Sequence, residues 1–484
     1  MSKQTVTFVS AFLDLHEDRS SDKSYEVCFN LFRRLAHSTI NICLFVSQTY
    51  LELARELCKE YSNIYLMPSI ELADTWTYKT TQDVFTSLPD IKTSQHDTYN
   101  FLVLMNAKVE FVYRATEINP FDTNHFAWID FSICHVIHES KTLDRLLTYS
   151  KSSLRDKMML FPGCWSKEYS NQNIHTIYNK IHLRFCGGFF IGDKDSIIHF
   201  NECYRKYYYD FLKEHKRLVW EVNYWEWLEN KGYFVPEVYL ANHNDSIVNI
   251  PSEYLKMVAC LTVIPPRFEQ CKLTIQSLLH QVDHIYVSVS KKYKRFGDVE
   301  LPNFSNEENF KNRVSIVESI DYGPVTKYIG ALLYIPETTW IFFCDDDQEY
   351  HLKLIHSMKQ SIHTIGAYQN RYNIVKKGSG GIIHGYVGNM FHRSLLTNLL
   401  QFDLPPCSRF VDDQLMSIYC FINNIKIFPT SQESYTTILH ILKNGYEQIG
   451  IDSLASLGNR DAMITELAKH FKVKFKSDGE VEYE

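Results

Sequence analysis

The chain lacks the features that define several common protein classes. It has 12 cysteines among 484 residues but no Cys-x-x-Cys pair, so structural zinc is not expected. No stretch approaches the roughly 18 consecutive apolar residues of a membrane span, and the N-terminus shows no signal peptide. Neither charge sign dominates: 50 basic residues stand against 57 acidic residues, which argues against a nucleic-acid surface. These absences predict a cytoplasmic protein with free thiols, no membrane span and no nucleic-acid partner.

Two catalytic signatures are absent as well. There is no Gly-x-x-x-x-Gly-Lys-Ser/Thr phosphate loop, and residues 378–385 miss the Gly-x-Gly-x-x-Gly spacing because Ile383 stands at its last position. The Gly-x-Ser-x-Gly pattern is missing too, so an α/β-hydrolase has no support.

The length and the pattern of apolar residues predict two domains. A chain of 484 residues is too long for one ordinary core. Both halves alternate strand-like apolar runs with helix-like apolar spacing, which is typical of α/β proteins. The polar stretch 241–252 is the candidate linker. It separates a domain over residues 1–252 from one over 253–484, whose acidic end, 476–484, we expect to be frayed.

Three adjacent carboxylates follow one apolar run in the second half. Residues 340–344 are WIFFC, and Asp345, Asp346 and Asp347 come next. Adjacent like charges repel by roughly 1 kcal/mol per close pair, and a hard divalent cation removes this cost. Because ligands bind at the carboxyl ends of strands in open α/β sheets, the run suits a metal shared with a diphosphate. A solvated acidic turn is an equal alternative.

The two halves repeat one order of features. Each half has an aromatic strand with an acid, then a glycine loop, then an acid at a helix start, then a late histidine. In the first half these are Asp130, Gly187 with Gly188, Glu221 and His243; in the second they are Asp345 to Asp347, Gly385 with Gly388, Asp412 with Asp413, and His440. We interpret the two halves as two copies of one architecture.

The second half, over roughly residues 257–474, resembles the nucleotide-sugar glycosyltransferases of the GT-A fold. The resemblance is carried by LTVIPPR, DYGPVTKYIGALLY, CDDDQEY, HGYVGNMF and VDDQLMSIY, phrases that look like those of a bacterial and viral group. It implies two tandem GT-A-like, Rossmann-like α/β domains with mostly parallel sheets. It also implies transfer of a sugar from a nucleotide donor, with a UDP-sugar as the first expectation, to a hydroxyl of a glycan, protein or lipid.

The same resemblance implies roles for individual residues. Asp345 and Asp347 would hold Mn²⁺ or Mg²⁺ against the donor diphosphate, with His440 as a further ligand. Asp413 would take the proton from the acceptor hydroxyl, with inversion, and Asp412 would orient the acceptor. The donor-binding candidates are Thr262, Pro265, Arg267, Asp321, Lys327, Asp346, Gly385 and Gly388. The alternatives are helix caps for the acids, positive φ for the glycines and ordinary packing for His440.

The first half, over roughly residues 5–250, resembles the HtrL/YibB family. The resemblance is carried by VSAFLDL with Arg19, LMNAKVEFV, NPFDTNHFAWIDFSICH and RFCGGFFIGDK. It implies a second GT-A-like domain in which Asp130 is the acid near the donor. This single carboxylate either shares a metal with phosphates and His243, or the domain works without a metal. Trp128 would stack on sugar or base, and Glu221 would be the base. The other donor-binding candidates are Asp14, Arg19, Gly187 and Gly188. A buried aromatic at Trp128, a simple helix-start acid at Glu221, and a scaffold without catalysis are the alternatives.

Two other classes of function stay open for the whole chain. A metal-dependent phosphoesterase or nuclease also uses clustered carboxylates. A non-catalytic carbohydrate-binding scaffold would bind sugar or nucleotide without turnover.

Overall fold

A computed structural model describes residues 3–16, 24–91, 97–304, 307–370, 382–385, 388–430, 440–441, 459–476 and 480–484. The chain divides into two compact units between Pro251 and Ser252. Residues 4–251 form the N-terminal unit. The C-terminal unit begins at Ser252.

The N-terminal unit is built on a seven-stranded sheet. Its strands are β1 (Val6–Phe12), β2 (Ile42–Val46), β3 (Ile64–Leu66), β4 (His125–Ile129), β5 (Met159–Gly163), β6 (Phe189–Asp193) and β7 (Glu237–Leu240). Its helices are α1 (Tyr25–His37), α2 (Leu51–Glu60), α3 (Trp76–Gln82), α4 (Tyr99–Asn106), α5 (Lys108–Ile118), α6 (Ser140–Ser150), α7 (Lys167–Asn173), α8 (Lys194–His215) and α9 (Glu221–Asn230). Every residue of β1, β2 and β4 is buried, as expected of strands that are covered on both faces.

The C-terminal unit has a second seven-stranded sheet and three small two-stranded sheets. Its strands are β8 (Met257–Thr262), β9 (His284–Val289), β10 (Lys292–Tyr293), β11 (Gly297–Asp298), β12 (Val314–Glu318), β13 (Trp340–Phe343), β14 (Gln348–Glu349), β15 (Ala367–Gln369), β16 (Asn389–His392), β17 (Ile427–Pro429), β18 (His440–Ile441), β19 (Val473–Phe475) and β20 (Val481–Tyr483). Its described helices are α10 (Cys271–Leu278), α11 (Thr326–Ile329), α12 (Leu354–Lys359), α13 (Asp412–Ile422) and α14 (Arg460–Phe471).

The two large sheets have the same topology. The strand order is β3-β2-β1-β4-β6-β5-β7 in one and β12-β9-β8-β13-β16-β15-β17 in the other. When the seven strands of each large sheet are numbered in chain order, both sheets have the order third, second, first, fourth, sixth, fifth, seventh. The sixth strand alone runs antiparallel to its neighbours in each sheet. The predicted fold class is confirmed as two tandem Rossmann-like α/β units with mostly parallel sheets.

The expectation of a frayed acidic tail is wrong for its last residues. β20 pairs antiparallel with β19, and the ring of Tyr483 lies 4.8 Å from the ring of Phe421. The alternating valine and tyrosine of the tail supply a strand edge and an aromatic contact, which outweigh the acidic composition.

Two further expectations concern the chain as a whole. All 12 cysteines lie in the described ranges and are free thiols, as predicted. None of the described helices has the length and apolarity needed to cross a membrane.

Candidate functional site

A cavity of about 650 Å³ opens in the C-terminal unit where β8, β9 and β13 end. Its walls include nine residues that the sequence singled out: Thr262, Arg267, Asp321, Lys327, Asp345, Asp346, Asp347, Asp412 and Asp413. These residues come from four separate stretches of the chain, 262–267, 321–327, 345–347 and 412–413. The sheet order places their segments side by side, because β8 is the neighbour of both β9 and β13.

Lys327 lies at the centre of the acidic groups. Its Nζ is 2.6 Å from Oδ1 of Asp345 and 2.8 Å from Oδ2 of Asp412, and the residue is only 2% exposed. Burial alone would lower the pKa of Lys327, but the negative charges of Asp345 and Asp412 outweigh burial and raise it well above its usual value. Lys327 is therefore charged and joins the end of β13 to the start of α13.

Arg267 neutralises the other two acids of the triplet. A short helical turn, Pro265–Arg267, carries it to the cavity, where its Nη1 donates to Asp346 at 3.0 Å and to Asp347 at 3.1 Å. Burial still raises the pKa of Asp346 to about 7 and that of Asp345 to about 6. Ionisation of these two carboxyl groups is therefore costly in the site, and a further cation beside them would stabilise their charged form.

Asp412 and Asp413 begin the same helix but have different surroundings. The Oδ1 of Asp413 accepts a hydrogen bond from the backbone of Gly385 at 2.8 Å, and its Oδ2 lies 3.8 Å from His384 Nδ1 and 3.8 Å from an Arg460 nitrogen. Burial would raise the pKa of Asp413, but His384, Lys327 and the Gly385 N–H together lower it. Asp413 is thus ionised at neutral pH and able to accept a proton.

The glycines near this cavity have packing roles. A Cβ at Gly385 would lie 2.4 Å from Lys327 Nζ and 3.3 Å from Asp413, so only glycine lets the loop close over these groups. Gly388 has φ +82°, and its Cβ would meet the ring of Phe342 at 2.1 Å. Neither glycine is among the residues that line the cavity. Their contact with a donor stays a prediction.

The remaining donor-binding candidates lie on the nearby wall. The Oγ1 of Thr262 donates to the carbonyl of Ser288 at 2.8 Å. Asp321 accepts the backbone N–H of Lys294 at 3.0 Å and lies 3.4 Å from Arg409 Nη1. Pro265 is not a lining residue; it starts the turn that carries Arg267.

Within the described ranges, the predicted metal ligands do not form a complete coordination site made of protein groups alone. No group of three or more His, Cys, Asp or Glu there is arranged to hold an ion. His440 lies in β18, whose backbone pairs it with Glu349, and its role as a ligand stays a prediction. Two carboxylates that share a cation with substrate phosphates are a common magnesium arrangement. The acids present fit that arrangement, because carboxylate oxygen is the ligand type that hard cations prefer.

The N-terminal unit contains a matching set of contacts. The Nζ of Lys108 lies 3.1 Å from Asp130 Oδ1 and 2.8 Å from Glu221 Oε1, and it donates to the carbonyl of Gly187 at 2.9 Å. Lys108 is 2% exposed. A Cβ at Gly187 would lie 2.1 Å from Glu221 Oε1, and one at Gly188 would lie 3.4 Å from Asp130. The acid after the fourth strand and the acid at the helix start therefore meet on one lysine here too.

In the N-terminal unit the burial of Trp128 contradicts its predicted role, whereas the predicted roles of His243 and Asp14 are untested. Trp128 is 3% exposed and packs beside Phe111, so its ring offers no face to a sugar or a base. Its Nε1 donates to Asp130 at 2.7 Å. It is a buried strand aromatic because β4 is covered on both faces. His243 is exposed, with its ring 5.8 Å from that of His135. Asp14 accepts a hydrogen bond from Thr49 Oγ1 at 3.0 Å. Metal binding by His243 and donor binding by Asp14 are untested.

Arg19 falls outside the described residues, so its predicted place in the donor site is untested.

Sequence reasoning missed Lys108, His384, Arg409 and Arg460. A lysine inside an otherwise apolar helical run, as in NAKVEFV, was the available signal for Lys108, since lysine is rarely fully buried without a partner. Arg409 and Arg460 line the cavity, and His384 lies beside Asp413. His384 begins the phrase HGYVGNMF, but the phrase does not show that this histidine meets Asp413.

Known proteins match part of the N-terminal unit in sequence, and solved structures match less than half of the chain, with low TM-scores. No curated protein matches the chain. Among solved structures, mouse xyloside xylosyltransferase 1 in its apo form is 9% identical with a TM-score of 0.27, covering 49% of this chain and 84% of that one. The 4-diphosphocytidyl-2C-methyl-D-erythritol synthase of Anaerococcus prevotii is 12% identical with a TM-score of 0.26, covering 40% and 98%. Neither likeness is strong enough to assign a reaction.

Residues 4–216 match the family model described as "Bacterial protein of unknown function (HtrL_YibB)". These residues are less than half of the chain, and over them the predicted resemblance of the first half to the HtrL/YibB family is confirmed.

Proposed function

We propose that the C-terminal unit is a glycosyltransferase that moves a sugar from a nucleoside diphosphate donor to a hydroxyl of a glycan, protein or lipid. One observation carries the proposal: the strand-end acids Asp345 to Asp347 and the helix-start acids Asp412 and Asp413 line one cavity at the carboxyl ends of the strands. This is the edge at which open α/β sheets bind ligands. A UDP-sugar is the first donor to test.

A divalent cation fits this proposal. Asp345 and Asp347 would hold Mn²⁺ or Mg²⁺, and the donor diphosphate would supply the other ligands. When bound, the cation would balance the charge of the departing nucleotide. The carboxylate oxygens of Asp345 and Asp347 support this part of the proposal, because they are the ligand type that hard cations prefer.

Asp413 is the proposed proton acceptor. It is ionised at neutral pH because its partners lower its pKa, and it lines the cavity. It would take the proton of the acceptor hydroxyl as that oxygen attacks the anomeric carbon. One carboxylate acting as a base on the acceptor corresponds to a single displacement with inversion at the sugar.

A thermal-shift screen of nucleotide sugars, with and without Mn²⁺, tests the donor. A ligand at 100 times its Kd stabilises a native protein by about 2.7 kcal/mol, so the true donor should raise the unfolding temperature only when Mn²⁺ is present. Phosphate monoesters and short oligonucleotides form the control panel. Their cleavage without an acceptor, in place of a donor shift, would favour a metal-dependent phosphoesterase and overturn the proposal.

The N-terminal unit is proposed to carry a second transfer site around Asp130 and Glu221. The matching strand order and the matching lysine contacts support it. With one strand-end acid in place of three, its dependence on metal should differ. Asp130→Ala and Asp413→Asn should therefore block distinct steps, and a mixture of the two variants should restore the whole product. If Asp130→Ala changes only stability, the N-terminal unit is a scaffold.

A further inference from the structure

Each unit has a buried lysine, and the two lysines occupy the same structural position. Lys108 is the first residue of α5 and Lys327 the second residue of α11. Each helix lies between the third and fourth strands of its sheet in chain order. The residues around the two lysines differ, with NAKVEF in one unit and VTKYIG in the other. The position is therefore shared without a shared local sequence.

Each lysine contacts one acid that follows the fourth strand and one acid that begins a helix after the sixth strand. Lys327 bridges Asp345 and Asp412 at 2.6 and 2.8 Å. Lys108 bridges Asp130 and Glu221 at 3.1 and 2.8 Å. Two carboxylates that contact the same ammonium group would repel each other without that cation between them. The lysine is thus what allows the two acids to stand together.

The loop before the sixth strand adds an independent observation. In both units a glycine of this loop lies against the lysine or its partner acid and leaves no room for a side chain. A Cβ at Gly385 would meet Lys327 Nζ at 2.4 Å, and one at Gly187 would meet Glu221 at 2.1 Å. The loop backbone also makes a hydrogen bond in each unit. The Gly385 N–H donates to Asp413, and Lys108 donates to the Gly187 carbonyl. Three elements therefore converge on each lysine.

We propose that Lys108 and Lys327 are positioning residues and that they have the same role in the two units. Each holds the helix-start acid beside the strand-end acid at the ligand-binding edge of its sheet. For Lys327 this replaces the expected contact with the donor diphosphate, since its ammonium is already shared by two carboxylates and the residue is 2% exposed. The role in turnover rests on the proposed function; the bridging role does not.

A double-variant cycle on unfolding tests the bridge without any substrate. The proteins are the full chain, Lys327→Met, Asp412→Asn and the double variant, with Lys108→Met and Glu221→Gln as the parallel set. Lys327→Met should lower the thermal midpoint, because it leaves a buried charge without its partner. The double variant should recover part of that loss. Strict additivity of the midpoint changes would overturn the bridge.

The same proteins separate positioning from donor binding. Lys327→Met should leave the Kd for UDP with Mn²⁺ within about 3-fold, but lower kcat by about 100-fold, the scale of a 1 Å misplacement. Adding Asp412→Asn should then change kcat little further. A loss of UDP affinity of 10-fold or more, additive with Asp412→Asn, would show that Lys327 binds the diphosphate directly and would overturn the proposal.

Lys359 provides the matched control. It is also buried, and its Nζ donates to the Leu255 carbonyl at 2.7 Å, but it is not among the residues that line the cavity. Lys359→Met should lower the thermal midpoint and leave the kcat of the folded protein unchanged. If it lowers kcat as far as Lys327→Met does, the effect is one of general stability and the positioning role is refuted. If neither UDP nor any nucleotide sugar binds, the proposed function fails, while the unfolding cycles still decide the bridge in both units.

Discussion

The replacement Asp413→Asn separates chemistry from binding in the proposed site. Asparagine has the size of aspartate, and its carbonyl oxygen can still accept the hydrogen bond from the Gly385 N–H, which is 2.8 Å long in the native protein. What is lost is the negative charge and with it the ability to accept a proton. The fold and the donor site should therefore survive the change.

The expected magnitude follows from the role of a general base. Loss of such a group lowers the rate by about 10²- to 10⁴-fold, which is about 3 to 5 kcal/mol of transition-state stabilisation. The neighbouring change, Asp412→Asn, should behave differently. It removes one of the two carboxylates that hold buried Lys327, so it should also lower the free energy of unfolding, by about 1 to 3 kcal/mol.

The assay measures three quantities on both variants and the native chain. Calorimetric titration gives the Kd for the nucleotide, steady-state release of nucleoside diphosphate at saturating donor gives kcat, and urea unfolding gives stability. Asp413→Asn should change kcat alone. An unchanged kcat would refute its role as a base, and a fall in donor affinity equal to that of Asp345→Ala would refute the division of roles between the acids.

Three further predictions follow from individual contacts. Asp345→Ala or Asp347→Ala should abolish Mn²⁺-dependent donor binding in calorimetry, because each would remove a proposed ligand from the ground-state complex. Trp128→Ala should destabilise the N-terminal unit by about 3 to 5 kcal/mol in urea unfolding, with donor binding by the C-terminal unit unchanged. Asp193→Ala should cost about 1 to 2 kcal/mol as a lost cap of α8, since Asp193 accepts hydrogen bonds from Ser196 and from the Met158 backbone. Burial alone would raise the pKa of Asp193, but these hydrogen bonds lower it. The stability that Asp193 contributes is therefore fully present above pH about 4 and is lost as the pH falls through the lowered pKa. Unfolding curves of the Asp193→Ala variant should not show this loss.

The parts of the fold that depend on local pattern were predictable from the sequence. The run WIFFC before Asp345 has the continuous apolar character of a strand buried on both faces, and the structure has β13 there. The acids at 412 and 413 stand before helical apolar spacing, and α13 begins at Asp412. The repeated order of motifs also predicted two units of one architecture, because each motif marks a fixed point along the same strand order.

The parts that depend on side chains from distant segments were not predictable. Lys327 lies 18 residues from Asp345 in sequence, and nothing in its own segment indicates which acids surround it. Trp128 was expected to stack on a sugar or a base because its segment resembles the HtrL/YibB family and an aromatic ring offers a stacking face. Trp128 is buried because helices cover β4, and Phe111 of α5 packs beside its ring. The alternation of apolar and polar residues along a strand does not show whether helices cover both faces of the sheet.

The most direct test of the central proposal is release of nucleoside diphosphate from a panel of nucleotide sugars. The native chain, with Mn²⁺ and a mixture of hydroxyl acceptors, should release the diphosphate from one donor class and transfer the labelled sugar to an acceptor in equal amount. Asp413→Asn should bind that donor with native affinity and release about 10²- to 10⁴-fold less. Release of inorganic phosphate or nucleoside monophosphate without sugar transfer, or donor turnover that persists in Asp413→Asn, would contradict the account.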